Sequence, residues 1–218
     1  MLKPAALAVA VVLLMVLPMV GAADASWGVA VKPGDWIEYK VSVTGTPTSD
    51  LNITWAKMDV TAVDGPAINV SVQTRFGNGT LYPEPHVTLN VATGQIGDGF
   101  FIPTTIQVGG VYTSTYEGNI TIAGTERMEA GGAERTVLVG ETDVTTYYWD
   151  RDTGIMVAAT SNLTGCVMHT STSATNLWQP QILGLNQTLF YALVTAVAAA
   201  LAVAAVLVWH RRSLKHRA

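Results

Sequence analysis

Hydrophobic and polar residues alternate along most of this chain. In Trp36-Ile-Glu-Tyr-Lys-Val-Ser-Val43 one face carries Ile37, Tyr39, Val41 and Val43, and the other carries Trp36, Glu38, Lys40 and Ser42. Such a period of two marks a strand with one buried face. Ile68, Val70, Val72, Thr74 and Phe76 alternate in the same way with Asn69, Ser71, Gln73 and Arg75. Further alternating runs cover Leu51–Val63, His86–Thr93, Thr104–Val108, Val111–Glu117, Asn119–Ala123, Thr136–Val139, Val144–Trp149 and Ile155–Thr160. Turn chemistry separates them, at Lys32-Pro-Gly-Asp35, Asp64-Gly-Pro66, Gly77-Asn-Gly79, Gly97-Asp-Gly99, Gly109-Gly110 and Asp150-Arg-Asp-Thr-Gly154. No helical period shows between 24 and 180. The pattern predicts an all-β, antiparallel domain of roughly ten short strands, either a β-sandwich or a curved half-barrel.

Two segments break the alternation. An unbroken apolar run from Ala5 to Val20 follows Lys3 and ends in small residues around Gly21-Ala22-Ala23. That is the three-part pattern of a secretory signal peptide, with Pro18 set against a continuous helix. The second segment, Leu189 to Trp209, holds 21 residues and no charge. At about 1.5 Å per residue it matches the roughly 30 Å hydrocarbon core of a bilayer. Tyr191 and Trp209 lie near its ends, as interfacial aromatics do, and the basic tail at 210–218 should stay cytoplasmic. The predicted layout is a signal peptide at 1–23, a β ectodomain at 24–169, a polar stalk at 170–188, a transmembrane helix at 189–209 and a cytoplasmic tail at 210–218. This is a type I single-pass protein of the cell membrane, its N-terminal domain outside. Ala192/Ala196, Ala198/Ala202 and Ala200/Ala204 have the small-residue spacing that permits helix–helix packing, so self-association through this helix is a candidate interaction.

Charge agrees with that layout. The chain has 12 basic and 16 acidic residues, a net of −4, and only 13% are charged. Five of the basic residues flank the apolar segments (Lys3, Arg211, Arg212, Lys215, Arg217), which leaves 7 against 16, or −9, on the exported part. An acidic, charge-poor ectodomain is no nucleic-acid binder.

Asn-x-Ser/Thr recurs at Asn52, Asn69, Asn78, Asn119, Asn162 and Asn186, six of the eight asparagines in the chain. Composition alone predicts about 1.6 such matches, so the set is read as N-glycosylation acceptors. Glycans, with the abundant Thr and Ser, would solvate what charge does not.

Signals for chemistry are sparse. Cys166 is the only cysteine, so no intrachain disulfide forms; it is read as a buried strand residue. Cys166-Val-Met168-His169 holds soft and imidazole ligands, but strand alternation sends His169 to the other face, and no metal site is expected. Asp150-Arg-Asp152-Thr-Gly154 starts as calcium loops do, yet Ser161 stands where the closing Glu is needed. No carboxylate pair, Gly-x-Ser-x-Gly elbow or phosphate-cradling glycine loop is present, so neither a catalytic residue nor a cofactor is expected. The exported tryptophans are Trp27, Trp36, Trp55, Trp149 and Trp178. Of the aromatics, Trp36, Trp55, Tyr147 and Trp149 are the candidates for a ligand-facing groove; core or cross-strand packing is the alternative.

Val31-Lys-Pro-Gly-Asp-Trp-Ile-Glu-Tyr-Lys-Val41 and Tyr148-Trp-Asp-Arg-Asp-Thr-Gly-Ile-Met-Val157 resemble archaeal cell-surface proteins with a signal peptide, a β-rich ectodomain and one C-terminal anchor. The Trp-Asp-x-x-Thr-Gly hairpin is also similar to the LolA-like half-barrel carriers of lipoprotein sorting. That resemblance implies a curved sheet that shelters acyl chains, and no catalytic residues; this chain departs from the soluble carriers in having its own anchor. The sequence therefore predicts a glycosylated, non-enzymatic envelope or binding component, with a surface protein or glycan as partner. A half-barrel binder of lipid or another apolar ligand is the alternative, and an extracellular hydrolase the second alternative.

Overall fold

The computed structural model of the chain describes residues 28–93, 99–115, 118–183 and 185–215. The predicted signal peptide at 1–23, together with Trp27, lies outside them. Ten strands form one antiparallel sheet: β1 (Trp36–Gly45), β2 (Ile53–Asp64), β3 (Ala67–Phe76), β4 (Leu81–Asn90), β5 (Val111–Ser114), β6 (Gly118–Ala130), β7 (Ala133–Glu141), β8 (Thr145–Asp150), β9 (Met156–Leu163) and β10 (Cys166–Thr175). Their order across the sheet is β4-β3-β2-β1-β10-β9-β8-β7-β6-β5. Two meanders are thus joined where the first strand pairs with the last, and β4 and β5 form the edges. A two-stranded ladder, β11 (Gln181–Ile182) with β12 (Leu185–Asn186), leads into helix α1 (Gln187–Lys215). Among the described residues no second sheet faces the first, so the architecture is a single curved sheet rather than a sandwich.

The curvature shows in contacts that a flat sheet forbids. β6 and β10 are four strands apart in the order, about 19 Å on a flat surface. A Cβ on Gly131, in the β6–β7 turn, would nevertheless lie 3.1 Å from the Thr175 methyl and 3.3 Å from the Thr172 methyl of β10. Curling of this kind gathers one face of the sheet into a concave core of Ile37, Tyr39, Met58, Ile68, Ile120, Ile122, Tyr147 and Trp149, all buried.

The connection at 91–110 joins the two edge strands, so it must cross a face of the sheet, and it crosses the concave one. Phe101 and Ile102 are each 1% exposed. Phe101 bridges Ile155, the Met156 amide donates to Phe100 O (2.8 Å), and the Ile102 amide donates to Gly154 O (2.8 Å). The Trp149 indole N–H donates to Gly99 O (2.6 Å). On its other side the Thr104 amide donates to Gly28 O (2.8 Å), joining this strap to the segment that carries Val29 and Val31. Polar backbone entering an apolar cavity needs partners for each amide and carbonyl, and these bonds supply them.

Three expectations change. Residues 104–108, predicted as a strand, are turns of the strap that pair with no strand. β6 runs on to Ala130, well past the predicted Ala123. The predicted stalk at 170–188 begins inside β10, which is a central strand bonded to both β1 and β9. Its mixture of Thr and Ser on both faces hides the alternation, because β10 packs its Thr methyls where other strands place Val or Ile. The domain continues through Trp178, whose indole N–H donates to Ala130 O (2.8 Å).

Candidate functional site

The four candidate aromatics do not converge. Tyr147 and Trp149 alternate with Tyr148 so that both enter the core, where their rings stack at 5.0 Å. Trp36 and Trp55 lie half-buried on the outer face, where β1 and β2 pair Trp36 with Asp59 and Lys40 with Trp55. The Lys57 ammonium sits 5.4 Å from the Trp36 ring centroid, and the Arg75 guanidinium 5.0 Å from that of Trp55. Lys57 also pairs with Asp59 at 2.8 Å. These outer tryptophans are therefore covered by cations of the neighbouring strands, a cross-strand packing worth about 0.5–1 kcal/mol per pair.

Inside the sheet, the strap fills the concavity that a half-barrel would offer a ligand. Open hollows are found on the surface of the described residues. One of about 420 Å³ runs along α1 between Leu185, Phe190, Leu193 and Val197. Another, of about 510 Å³, is polar and lies beside Arg127, Glu129, Glu134 and Gln181. Among the described residues the Tyr112 hydroxyl on β5 is buried without a hydrogen-bond partner, and burial pushes its pKa above the ordinary tyrosine value.

The charged cluster that sequence reasoning missed is at the β8–β9 turn. Asp150 is fully buried and receives two parallel bonds from Arg135, Nε to Oδ1 at 2.7 Å and Nη2 to Oδ2 at 3.1 Å. Oδ2 also accepts from the Thr153 amide (3.0 Å) and hydroxyl (2.7 Å), which closes the turn. Arg135 further reaches Asp152 at 2.9 Å and lies 4.9 Å from the Trp178 ring centroid. Burial works against its charge, but the hydrogen bond and attraction of Asp150, joined by Asp152, hold its pKa above the usual value. The two carboxylates of the calcium-like turn are thus both paired with one guanidinium, which leaves the cluster one negative charge in excess. Asp150-Arg-Asp-Thr-Gly154 was legible as a turn, but its partner lies on β7, 15 residues earlier.

Cys166 is buried at the start of β10, while His169 is exposed and bonded to the Thr160 hydroxyl (3.1 Å). Among the described residues no group of three His, Cys, Asp or Glu could hold a metal ion.

Asn52, Asn78, Asn119, Asn162 and Asn186 are exposed, and Asn69 is half-buried. Asn69 Oδ1 accepts from the Thr88 hydroxyl (2.7 Å), Asn119 Oδ1 from the Thr113 hydroxyl (2.9 Å) and Asn78 Oδ1 from the Thr80 amide (2.9 Å). Asn186 Oδ1 accepts from the Leu189 amide (2.8 Å), the N-cap bond of α1.

α1 is 29 residues long. Among the described residues no helix is long and apolar enough to cross a membrane; the described side chains of α1 end at Val203, inside the predicted span.

No family model and no curated protein matches the chain. Among solved structures it is similar to the Mycobacterium tuberculosis lipoprotein LppX. The identity is 18%, the match covers 65% of this chain and 86% of that one, and the TM-score is 0.32. At that level the likeness carries over neither activity nor ligand.

Proposed function

We propose that this protein is an exported, membrane-tethered surface protein whose β domain serves as a non-enzymatic envelope or binding module. The observation that carries the reading is helix α1. Leu193, Val194, Val197 and Leu201 are all exposed on it, and the sequence continues without a charge to Trp209 before turning basic. Tyr191 and Val203 are exposed on the other sides of the same helix, and apolar residues exposed around a helix suit lipid. In the sequence the uncharged stretch Leu189–Trp209 is 21 residues long, and at about 1.5 Å each it matches the roughly 30 Å hydrocarbon core. The non-enzymatic reading is supported by Asp150 and Asp152 being held by Arg135, and by Cys166 and His169 standing apart. Fractionation tests the tether. The protein should stay in membranes washed at alkaline pH, and protease added to intact cells should degrade the β domain. Release into the soluble fraction, or full protection of the domain, contradicts it.

A second reading, the binding of an apolar ligand within the curved sheet, is favoured by the unpartnered Tyr112 hydroxyl in the core. It requires the strap at 99–106 to leave the face it now fills. Organic extraction of the purified protein separates the two: the envelope reading predicts no stoichiometric lipid, and the ligand reading predicts one.

A further inference from the structure

Antiparallel strands put successive turns at alternate ends of a sheet. One end of this sheet carries the segments 65–66, 131–132 and 151–155, the start of β1, the end of β10 and therefore the route to α1. The other carries 46–52, 77–80, the start of β6, 142–144 and 164–165. The six glycosylation motifs do not divide evenly between them. Asn52 ends the β1–β2 connection, Asn78 sits in the β3–β4 turn, Asn119 is the second residue of β6, and Asn162 is the last but one of β9. All four belong to the end remote from α1. Backbone bonds confirm that these segments are neighbours: the Gly77 amide donates to Asn52 O (2.7 Å), Asn162 to Val144 O (2.7 Å), and Thr46 to Gly165 O (2.9 Å).

The exposure of the hydroxyl member sets the Asn69 motif apart from the rim motifs. Thr54, Thr80, Thr121 and Thr164 are exposed with their asparagines, so each motif is open as a unit. Asn69 is half-buried near the opposite end of β3, and its Ser71 is half-buried too. Asn186 is exposed together with Thr188, but it is bound as the cap of α1. The predicted membrane span begins three residues after it. The remote rim has no Lys or Arg in 46–52, 77–80, 142–144 or 164–165, and its charges there are the carboxylates of Asp50 and Asp143.

We propose that the protein carries a crown of N-linked glycans on the rim remote from α1, at Asn52, Asn78, Asn119 and Asn162, and that Asn69 and Asn186 stay unmodified. The proposal rests on the export reading above. In each modification the Asn Nδ2 attacks the anomeric carbon of a lipid-phosphate-linked oligosaccharide. A C–N bond forms as the C–O bond to phosphate breaks, the lipid phosphate leaves with the bonding electrons, and the amide nitrogen loses one proton. Bulky polar chains on this rim would shield it, leaving the outer face as the surface open to a partner.

Site-resolved mass spectrometry of glycopeptides from the native, membrane-extracted protein tests this. Glycan mass is expected on the four rim peptides and not on those of Asn69 and Asn186. Bare rim peptides, or glycan on Asn69 or Asn186 equal to that on the rim, overturn it. The same digest reads the mature N-terminus. A cleaved leader with a bare rim therefore sinks the crown and leaves the tether standing, whereas an intact leader sinks the export reading itself. Two full-chain variants in the native host add a second measurement. N52Q/N78Q/N119Q/N162Q should lose all glycan mass and N69Q/N186Q none; the reverse pattern contradicts the proposal.

Discussion

At the scale of single residues, the end of the sheet nearest α1 depends on a pair of charges. Asp150 is fully buried and Arg135 mostly so, and a carboxylate in that position is tolerable only while the guanidinium stays. Replacing Arg135 with Leu leaves the buried charge with Thr153 alone, at a cost of about 3–5 kcal/mol. Thermal denaturation of the detergent-solubilised chain should show Tm falling by about 10 °C. Adding Asp150→Asn should restore part of that loss, because the uncompensated charge goes with it; no recovery would mean that Arg135 acts through its packing on Trp178 alone.

Two buried tyrosines behave differently from one another. The Tyr39 hydroxyl donates to Met156 O (2.8 Å), while Tyr112 has no partner. Tyr39→Phe should cost about 1 kcal/mol, and Tyr112→Phe should be neutral or stabilising. Burial raises the pKa of both, so the folded chain keeps these protons to higher pH than the unfolded chain does. Their contribution is whole below about pH 10 and is lost as the pH rises above it. Chemical denaturation between pH 8 and 11 should show stability level at first and then declining, with a shallower decline in Tyr112→Phe.

At the scale of elements, the strap governs whether the concave face is open or closed. Gly154 is the position that admits it: φ is +71°, and a Cβ there would collide with Ile102 O. Gly154→Ala should therefore push the strap off β9 and expose Phe101 and Ile102. The expected outcome is increased binding of an apolar dye together with a stability loss of about 1–3 kcal/mol, followed by fluorescence titration. Unchanged dye binding would show that the strap yields without leaving. Strands β1, β2 and β3 could be read in the sequence because Ile, Val and Met alternate cleanly there with Lys, Asp and Gln. β10 could not, since a strand with Thr170, Thr172 and Ser173 among its residues has no apolar face to find. The strap escaped for a related reason. Its Phe-Phe-Ile run at 100–102 is an apolar patch without a period, and only the join between two distant edge strands obliges it to cross the core.

The edges show the same division. β4 contains Pro83 and Pro85, which lack the N–H that a further strand would need, and β5 is four residues long. Both features blunt an edge against pairing with another chain, so the described sheet is fitted to remain a monomeric surface despite its two free sides.

At the scale of the molecule, the proposal places the α1 tether beside a base where Arg135 meets Asp150 and Trp178, then a curved sheet filled by the strap, and last a rim with four exposed Asn-x-Thr motifs. The order of charges along the sequence already indicated a membrane. That the motifs gather on one rim was not legible, because Asn52, Asn78, Asn119 and Asn162 are spread over 110 residues and meet only through the register of six strands. The measurement that bears most directly on this account is the intact mass of the protein extracted from native membranes, taken before and after deglycosylation. The account predicts a chain shortened by its leader, recovered from the membrane fraction, with added mass that deglycosylation removes. A full-length, unmodified chain in the soluble fraction would contradict it.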